Sequence, residues 1–142
     1  MTLDTIEKTA SYQLIGVCRA HRNYAGQALA RHGLFPGQEW ILLHLRGQQG
    51  LPHAELARRC DVEGPTLSKA LRRMERVGLV ERRPDPADAR VSRIYLTEHG
   101  TAVCVEIDQI WADLEQTTIA GLTAEEQTVL RRLLSQIRHN FR

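Results

Sequence analysis

The chain has 142 residues, of which 42% are hydrophobic and 25% charged, and this composition is ordinary for one globular domain with its own core. No apolar run approaches the roughly 18 residues that a membrane span needs, and three widely spaced cysteines argue against both a disulfide framework and a structural zinc site. The N-terminal segment lacks the basic start and apolar centre of a signal peptide, so we expect a cytoplasmic protein with no membrane association.

The net charge of +2 is unevenly distributed along the chain. Residues 58–93 contain ten Lys or Arg and six Asp or Glu, a local net charge of +4, whereas the other residues contain nine and eleven, a local charge of −2. A basic centre between more acidic flanks is typical of nucleic-acid binding, although many charged helices are only solvated.

The first predicted element is a long helix from Asp4 to about His32. Asp4 and Glu7 have the spacing of an N-cap residue and its reciprocal partner, and Gly33 is suited to ending the helix. A helix of about 28 residues is longer than a small monomer needs, and this favours a dimer.

Two short helices and a basic helix are predicted next. Pro36 begins the second helix, which ends near residues 47–50, and Pro52 lies in the first turn of the third. After a connector at 61–64, the fourth helix has apolar residues at helical spacing along one stripe. They are Leu67, Ala70, Leu71 and Met74. Two short helices joined by a tight, glycine-containing turn predict a helix-turn-helix, with the fourth helix as the recognition helix.

The opposite side of the recognition helix is polar and basic. Its members are Pro65, Ser68, Lys69, Arg72 and Arg76, with Thr66 and Arg73 on the flanks. Small polar and cationic side chains are what base edges and phosphates require, and a helix of this size fits the major groove. We therefore predict binding to duplex DNA.

A β-hairpin and two further helices complete the predicted order. Residues 79–83 and 91–96 are extended and flank a tip at 84–89 that is rich in turn-forming residues. Thr97 is predicted to cap a fifth helix, and Thr123 with Glu126 forms the capping box of a sixth. Their apolar residues repeat at helical spacing. They are Val103, Ile107, Ile110 and Leu114 on the fifth helix, and Leu130, Leu133, Leu134 and Ile137 on the sixth.

This order of elements resembles the MarR family of bacterial transcriptional regulators. The most specific match is G-L-V-E-R-R-P-D-P-A-D-A-R at 78–90 followed by L-T-E-H-G at 96–100, which is similar to the family's wing signature. The segment P-T-L-S-K-A-L-R-R-M-E at 65–75 is similar to its recognition helix. In one departure, many members have a basic residue where this chain has Ala89, which lowers the expected charge at the wing tip.

The resemblance implies a mainly α fold with a small β-hairpin wing, a winged helix-turn-helix with long N- and C-terminal dimerisation helices. It implies one MarR-type domain over 1–142, in which 1–34 and 97–142 dimerise and 36–96 form the DNA-binding lobe. The implied function is a homodimeric, ligand-responsive repressor that binds a pseudo-palindromic operator in double-stranded DNA. No cofactor is implied, and no nucleophile–base pair, phosphate-binding loop or metal cluster in the sequence favours an enzyme.

The resemblance also assigns DNA contacts. Pro65, Thr66, Ser68, Lys69 and Arg72 are expected in the major groove. Arg90 is expected in the flanking minor groove, where narrow A·T-rich geometry concentrates negative potential, with Asp88 orienting it. Arg73, Arg76, Arg82 and Arg83 are expected at phosphates or in support of the wing.

Ligand-binding candidates follow from where the family's clefts lie, between the dimerisation and DNA-binding parts. They are His21, Arg22, Trp40, His44 and Trp111. A small anionic or aromatic effector would suit them, because Arg22 and His21 could meet a carboxylate. The other interpretation is ordinary packing for the tryptophans and solvent exposure for Arg22.

Two other functions stay open on the same scaffold. One is a cysteine-based redox regulator. Cys18 lies near Tyr12 and Tyr24, on the helix that carries the reactive cysteine of peroxide-sensing members. It is closer to the end of that helix than the reactive cysteine of those members is. The other is a winged-helix interaction module without DNA binding. A zinc sensor is less favoured, because the fifth helix has only His99 at its start where zinc-responsive members have a histidine pair.

Overall fold

Seven helices and a three-stranded sheet make up the fold in the computed structural model, which describes all residues 1–142. The helices are α1 (Leu3–Glu7), α2 (Ala10–Ala30), α3 (Gln38–Gly47), α4 (His53–Arg59), α5 (Gly64–Arg76), α6 (Glu98–Ile119) and α7 (Ala124–Asn140). The strands are β1 (Leu51–Pro52), β2 (Val80–Pro84) and β3 (Ser92–Leu96). The predicted mainly α fold with a small β wing is confirmed.

The predicted long first helix is wrong in one respect, because it is two helices. Thr9 interrupts it: its hydroxyl donates to the carbonyl of Ile6 at 2.7 Å and accepts from the amide of Tyr12 at 3.1 Å. A threonine that bonds the backbone in this way ends one helix and caps the next. The cap of α1 is Thr2 and not Asp4, which lies in the first turn.

The predicted end of this helical segment at Gly33 is confirmed. Gly33 has a φ of +72°, a left-handed conformation that glycine adopts at little cost in free energy because it has no Cβ. The amide of Leu34 donates to the carbonyl of Leu29 at 3.1 Å and that of Gly33 to Ala30 at 3.0 Å, the two bonds of a Schellman motif. Leu29 and Leu34 are both buried, so the turn anchors the end of α2 in the core.

The start of the second predicted helix also moves. Pro36 precedes α3, whose N-cap is Gly37 with φ of +99° and no side-chain cap. Two side chains of the first turn hold the loop instead. Gln38 Oε1 accepts from the amide of Phe35 at 3.1 Å, and Glu39 Oε2 accepts from that of Gly37 at 2.9 Å.

The sheet has the strand order β1-β3-β2 and is antiparallel throughout. The predicted hairpin is β2 and β3, with Arg82 opposite Ile94 and Arg83 opposite Arg93. The third strand was not predicted: Leu51 and Pro52 pair with Ile94 and Arg93, and Pro52 is the N-cap of α4, one residue before its first turn. Two residues are too few to show alternation in the sequence.

Residues 36–96 form the winged lobe, and its core lies between α3, α4, α5, β3 and the adjoining helix α6. The predicted stripe of α5 supplies three fully buried side chains, and the burial of each such side chain contributes about 1.5–3 kcal/mol. The largest buried side chains are Leu42, Leu45, Leu51, Leu56, Leu67, Leu71, Met74, Ile94 and Ile107.

The two C-terminal helices begin as predicted. Thr97 accepts from the amide of Gly100 at 3.0 Å, and Thr123 with Glu126 forms the complete capping box. All four predicted apolar residues of α6 are buried, whereas α7 has no buried residue within the protomer. None of the seven helices combines the length and the apolar character that crossing a membrane requires.

Candidate nucleic-acid interface

The recognition helix α5 presents its basic side to solvent. Pro65 lies in its first turn, where the missing amide hydrogen costs nothing, and Glu63 before it makes no side-chain cap. Pro65, Thr66, Lys69 and Arg72 are exposed. The side chains of Lys69 and Arg72 have no ion-pair or hydrogen-bond partner within the chain, so both charges are available to an external anion.

Ser68 differs from its neighbours because it already has a partner. It is half-buried, and its Oγ lies 2.9 Å from Nε2 of His53 on α4. Burial lowers the pKa of the His53 imidazole, and the nearby charge of Arg82 lowers it further. The ring is therefore neutral near pH 7. The sequence shows no sign of this bond, since fifteen residues separate the two.

Two predicted phosphate contacts, Arg73 and Arg83, are held by aromatic rings of the chain. The guanidinium of Arg73 lies 5.3 Å from the ring centre of Phe35, in the loop between α2 and α3. That of Arg83 lies 4.3 Å from the ring of Tyr95 and also pairs with Glu81. Such cation–π contacts orient an arginine without neutralising its charge, although the carboxylate of Glu81 does neutralise that of Arg83.

The wing tip holds Arg90 in one orientation. Its Nε and Nη2 donate to the two carboxylate oxygens of Asp88 at 3.0 and 3.1 Å, and its backbone amide donates to the same carboxylate at 3.1 Å. These bonds lower the pKa of the Asp88 carboxyl, so the pair stays ionised at neutral pH. The side chain of Arg90 is still 91% exposed. The predicted Asp88–Arg90 pair is confirmed as a contact.

A second carboxylate shapes the wing and was not predicted. Asp85 accepts from the amides of Ala87 and Asp88 at 2.7 and 3.1 Å and also pairs with Arg93. Arg93 in turn donates to the carbonyl of Gly50 at 2.8 Å, next to β1. The wing tip is therefore tied through one arginine to the segment before α4. The sequence indicated that Asp85 lies in a turn, but it did not indicate the ion pair with Arg93.

The exposed end of α4 carries two further arginines that one carboxylate holds. Glu55 accepts from Arg58 at 2.6 and 3.0 Å and from Arg59 at 2.9 Å. These hydrogen bonds lower the pKa of the Glu55 carboxyl to about 2. The local charge of the three residues is +1 and not +2, so α4 is less basic than its arginines alone suggest.

A separate cleft of about 420 Å³ lies between α2, α3, α6 and α7. The rings of Trp40 and Trp111 meet in it edge to face, 5.3 Å between centres and 61° between planes. His21 and Arg22 of α2 line the same cleft, so four of the five ligand candidates come together, whereas His44 does not line it. A cleft of this size with mostly apolar walls and a few polar groups is typical of a small-molecule site.

Glu39 lines this cleft and was not predicted as a site residue. It is only 8% exposed, and burial raises the pKa of its carboxyl although the Gly37 amide bond opposes that shift. A carboxylate in a cleft beside His21 and Arg22 gives the site both signs of charge. In the sequence, Glu39 lies near the start of a predicted helix, a position that indicates only a role in capping that helix.

The three cysteines lie in different environments. Cys18 is exposed on α2 and lines the cleft, and neither Tyr12 nor Tyr24 hydrogen-bonds it. Burial raises the thiol pKa of both Cys60 and Cys104, which makes them less reactive. No group of three or more His, Cys, Asp or Glu side chains lies close enough to hold a metal ion.

The chain is similar in sequence to a known protein family and in fold to several solved structures. A model of the MarR family matches residues 32–91. MepR from Staphylococcus aureus, solved as a complex with DNA, is 29% identical with a TM-score of 0.83 over 93% of this chain and 98% of that chain. A cysteine-to-serine mutant of MarR from Escherichia coli, solved with operator DNA, is 26% identical with a TM-score of 0.81 over 96% and 99%. The PcaV regulator from Streptomyces coelicolor, solved with its natural ligand, is 22% identical with a TM-score of 0.83 over the full length of both chains, a likeness of fold.

Proposed function

We propose that this chain, whose residues 32–91 match a model of the MarR family and whose fold is similar to those of MepR and MarR, is a homodimeric repressor of that family that binds a pseudo-palindromic operator in double-stranded DNA. Residues 36–96 form the DNA-binding lobe, and residues 1–34 and 97–142 form the dimer. The protein is a cytoplasmic regulator and not an enzyme, and it needs no cofactor.

The observation that supports this function best is the pair of unpartnered charges on α5. Most other basic side chains of the lobe have a partner within the chain, such as Arg82 with Glu75 or Arg93 with Asp85. Lys69 and Arg72 have none and lie on the side opposite the buried stripe. A cation that no internal carboxylate neutralises is the kind that gains most from phosphate or base contact.

In this proposal each protomer makes three kinds of DNA contact. Pro65, Thr66, Ser68, Lys69 and Arg72 enter the major groove. Arg90, held by Asp88, enters the adjacent minor groove. Arg73 and Arg83, which are oriented by aromatic rings, contact phosphates. Two recognition helices related by the dimer axis then read half-sites about one helical turn apart.

We also propose that a small effector releases the DNA by binding in the cleft. An aromatic ring fits beside Trp40 and Trp111, and an anionic group meets Arg22 and His21. The structure of PcaV with its natural ligand supports ligand control on this fold. The exposed Cys18 has no tyrosine partner, so no observation favours redox control over ligand control.

The experiment is protection of the DNA that flanks the protein's own gene, with the double variant Lys69→Ala/Arg72→Ala beside the wild type. We expect the wild type to protect an inverted repeat and the double variant to bind it about tenfold to a hundredfold less tightly, since base contacts in the major groove are lost. The matched control is Arg132→Ala, on the exposed polar side of α7, which removes one charge without touching the lobe. Equal affinity of the double variant and the wild type would rule out this groove assignment, and an absence of any protected repeat would favour an interaction module.

A further inference from the structure

The bond between Ser68 and His53 joins the recognition helix to a residue outside it. Ser68 lies on the side of α5 between Pro65 and Arg72, and His53 is the first residue of α4. Their side chains meet at 2.9 Å between Oγ and Nε2. Ser68 is half-buried, so part of the residue is exposed on the same side of α5 as the exposed Lys69.

A serine hydroxyl can donate one hydrogen bond and accept two. If the neutral imidazole of His53 carries no proton on Nε2, the hydroxyl must donate to it, and only lone pairs remain for DNA. If Nε2 carries the proton, the ring donates and the hydroxyl keeps its own proton. Lone pairs suit the amino groups of adenine and cytosine, whereas a free hydroxyl proton suits the acceptors of guanine and thymine.

The surroundings of the pair keep the imidazole uncharged, so the ring carries one proton, and the nitrogen that holds it decides which of the two arrangements forms. Arg82 of β2 is the nearby cation and is itself paired with Glu75 of α5. On α4, the carboxylate of Glu55 is held by Arg58 and Arg59. No carboxylate contacts the ring, so none stabilises a protonated His53.

We propose that His53 is a specificity-determining residue of the DNA site, which acts from α4 by setting whether the Ser68 hydroxyl gives or receives a hydrogen bond at a base edge. His53 is a positioning residue and does not itself touch a base. This inference rests on the proposed binding of DNA by α5. It assigns sequence preference at one base pair of each half-site to a contact between two helices.

The test is selection of binding sites from a pool of duplexes with random half-sites, using the full-length protein and its variants. Ser68→Ala identifies the base pair concerned, as the position where preference disappears. His53→Phe keeps a ring of similar shape without nitrogen. We expect it to reduce or switch the preference at that same base pair by about tenfold, with the other positions unchanged. His53→Gln places an amide near the position of Nε2, and we expect it to restore a strong preference there.

The combined variant His53→Phe/Ser68→Ala should select the same sites as Ser68→Ala, because His53 acts only through the hydroxyl. If His53→Phe does not fold, as judged by circular dichroism, His53→Asn replaces it, since its shorter amide does not reach Ser68. Unchanged selection by the His53 variants would overturn the inference while leaving the proposed function intact. Uniform weakening at all positions, without rescue by His53→Gln, would also overturn it, because that is the result of a purely structural role. Failure of the wild type to select any sequence would instead overturn the proposed function and this inference together.

Discussion

Arg90 and Lys69, both proposed DNA contacts, carry the same charge but differ in their contacts within the chain. Arg90 is oriented by three hydrogen bonds to Asp88, whereas Lys69 is free of any partner. An oriented guanidinium loses less conformational entropy on binding than a free ammonium on a four-carbon chain. The Asp88–Arg90 contact follows from the sequence because two residues in one turn must lie close together. The partners of Arg73 and Arg83 do not follow from it, because Phe35 and Tyr95 come from other elements.

Replacing Arg90 tests the minor-groove assignment. We expect Arg90→Ala to weaken operator binding about tenfold and to reduce the slope of log affinity against log salt concentration by about one for each protomer, because one cation no longer displaces counterions. Titrations of labelled operator at several salt concentrations measure both quantities.

The matched variant for this test is Asp88→Asn, which retains the arginine but loses the charged partner that orients it. We expect a smaller loss of affinity with no reduction in the salt slope, since the cation is still present. A salt slope for Arg90→Ala that equals the wild-type slope would mean that Arg90 does not meet the DNA.

At the scale of elements, the winged lobe is joined to α6 through a close backbone contact. The hydroxyl of Thr97 donates to the carbonyl of Gly78, and its amide donates to that of Leu79 at 3.1 Å. One turn later, a Cβ on Gly100 would lie only 2.1 Å from the carbonyl oxygen of Leu79. Only glycine therefore allows α6 to pack this closely against the start of the wing. The L-T-E-H-G pattern at 96–100 contains this glycine, but a glycine within a predicted helix does not by itself indicate a close contact with another segment.

Two glycine-to-alanine changes separate this contact from ordinary helix propensity. We expect Gly100→Ala to lower the free energy of unfolding by about 3 kcal/mol, because backbone must move to admit the methyl group. Gly47→Ala, in the last turn of α3 where nothing lies within 4 Å, should raise it by up to about 1 kcal/mol. Urea denaturation followed by circular dichroism measures both, and a Gly100→Ala variant as stable as the wild type would show that α6 can shift freely.

At the scale of the whole molecule, α7 has an apolar stripe that the protomer does not cover. Its members Leu133 and Leu134 are each 44% exposed. The stripe was predicted from its spacing, but spacing alone did not distinguish burial within the protomer from burial in a dimer. Its exposure supports the proposal that 97–142 contributes to the subunit interface, since an exposed apolar surface marks an interaction site.

A charge in this stripe tests the dimer. We expect Leu133→Asp to convert the dimer to a monomer in analytical ultracentrifugation and to weaken operator binding at least about tenfold, because two half-sites are no longer bound together. Arg132→Asp, one residue away on the polar side of α7, is the control and should remain dimeric. A Leu133→Asp protein that sediments as a dimer would place the interface elsewhere.

The cleft and the recognition helix are linked through one loop. Pro36 and Trp40 line the cleft, and Phe35 beside them holds Arg73 of α5. A ligand that displaces this loop would therefore move a side chain of the recognition helix. In the proposed function this loop is the route from effector to DNA, and it depends on contacts that no local pattern shows.

The cleft assignment predicts an effect of Arg22. We expect Arg22→Ala to weaken binding of an aromatic carboxylate, with benzoate as the simplest probe, about tenfold or more, because a charge-assisted hydrogen bond is lost. Titration calorimetry, or the fluorescence of Trp40 and Trp111, measures the affinity. His44→Ala lies outside the cleft and is the control. Equal affinities of Arg22→Ala and the wild type would mean that the anion binds elsewhere.

The sequence by itself determined the features that depend on neighbours within a few residues. The caps at Thr97 and Thr123, the end of α2 at Gly33, the buried stripe of α5 and the Asp88–Arg90 pair all follow from spacing along one turn or one helix. The tertiary structure alone decided the bond between His53 and Ser68, the aromatic supports of Arg73 and Arg83, the short strand β1 and the convergence of four elements on the cleft. These contacts join residues far apart in the chain, and their geometry depends on how whole helices pack against each other.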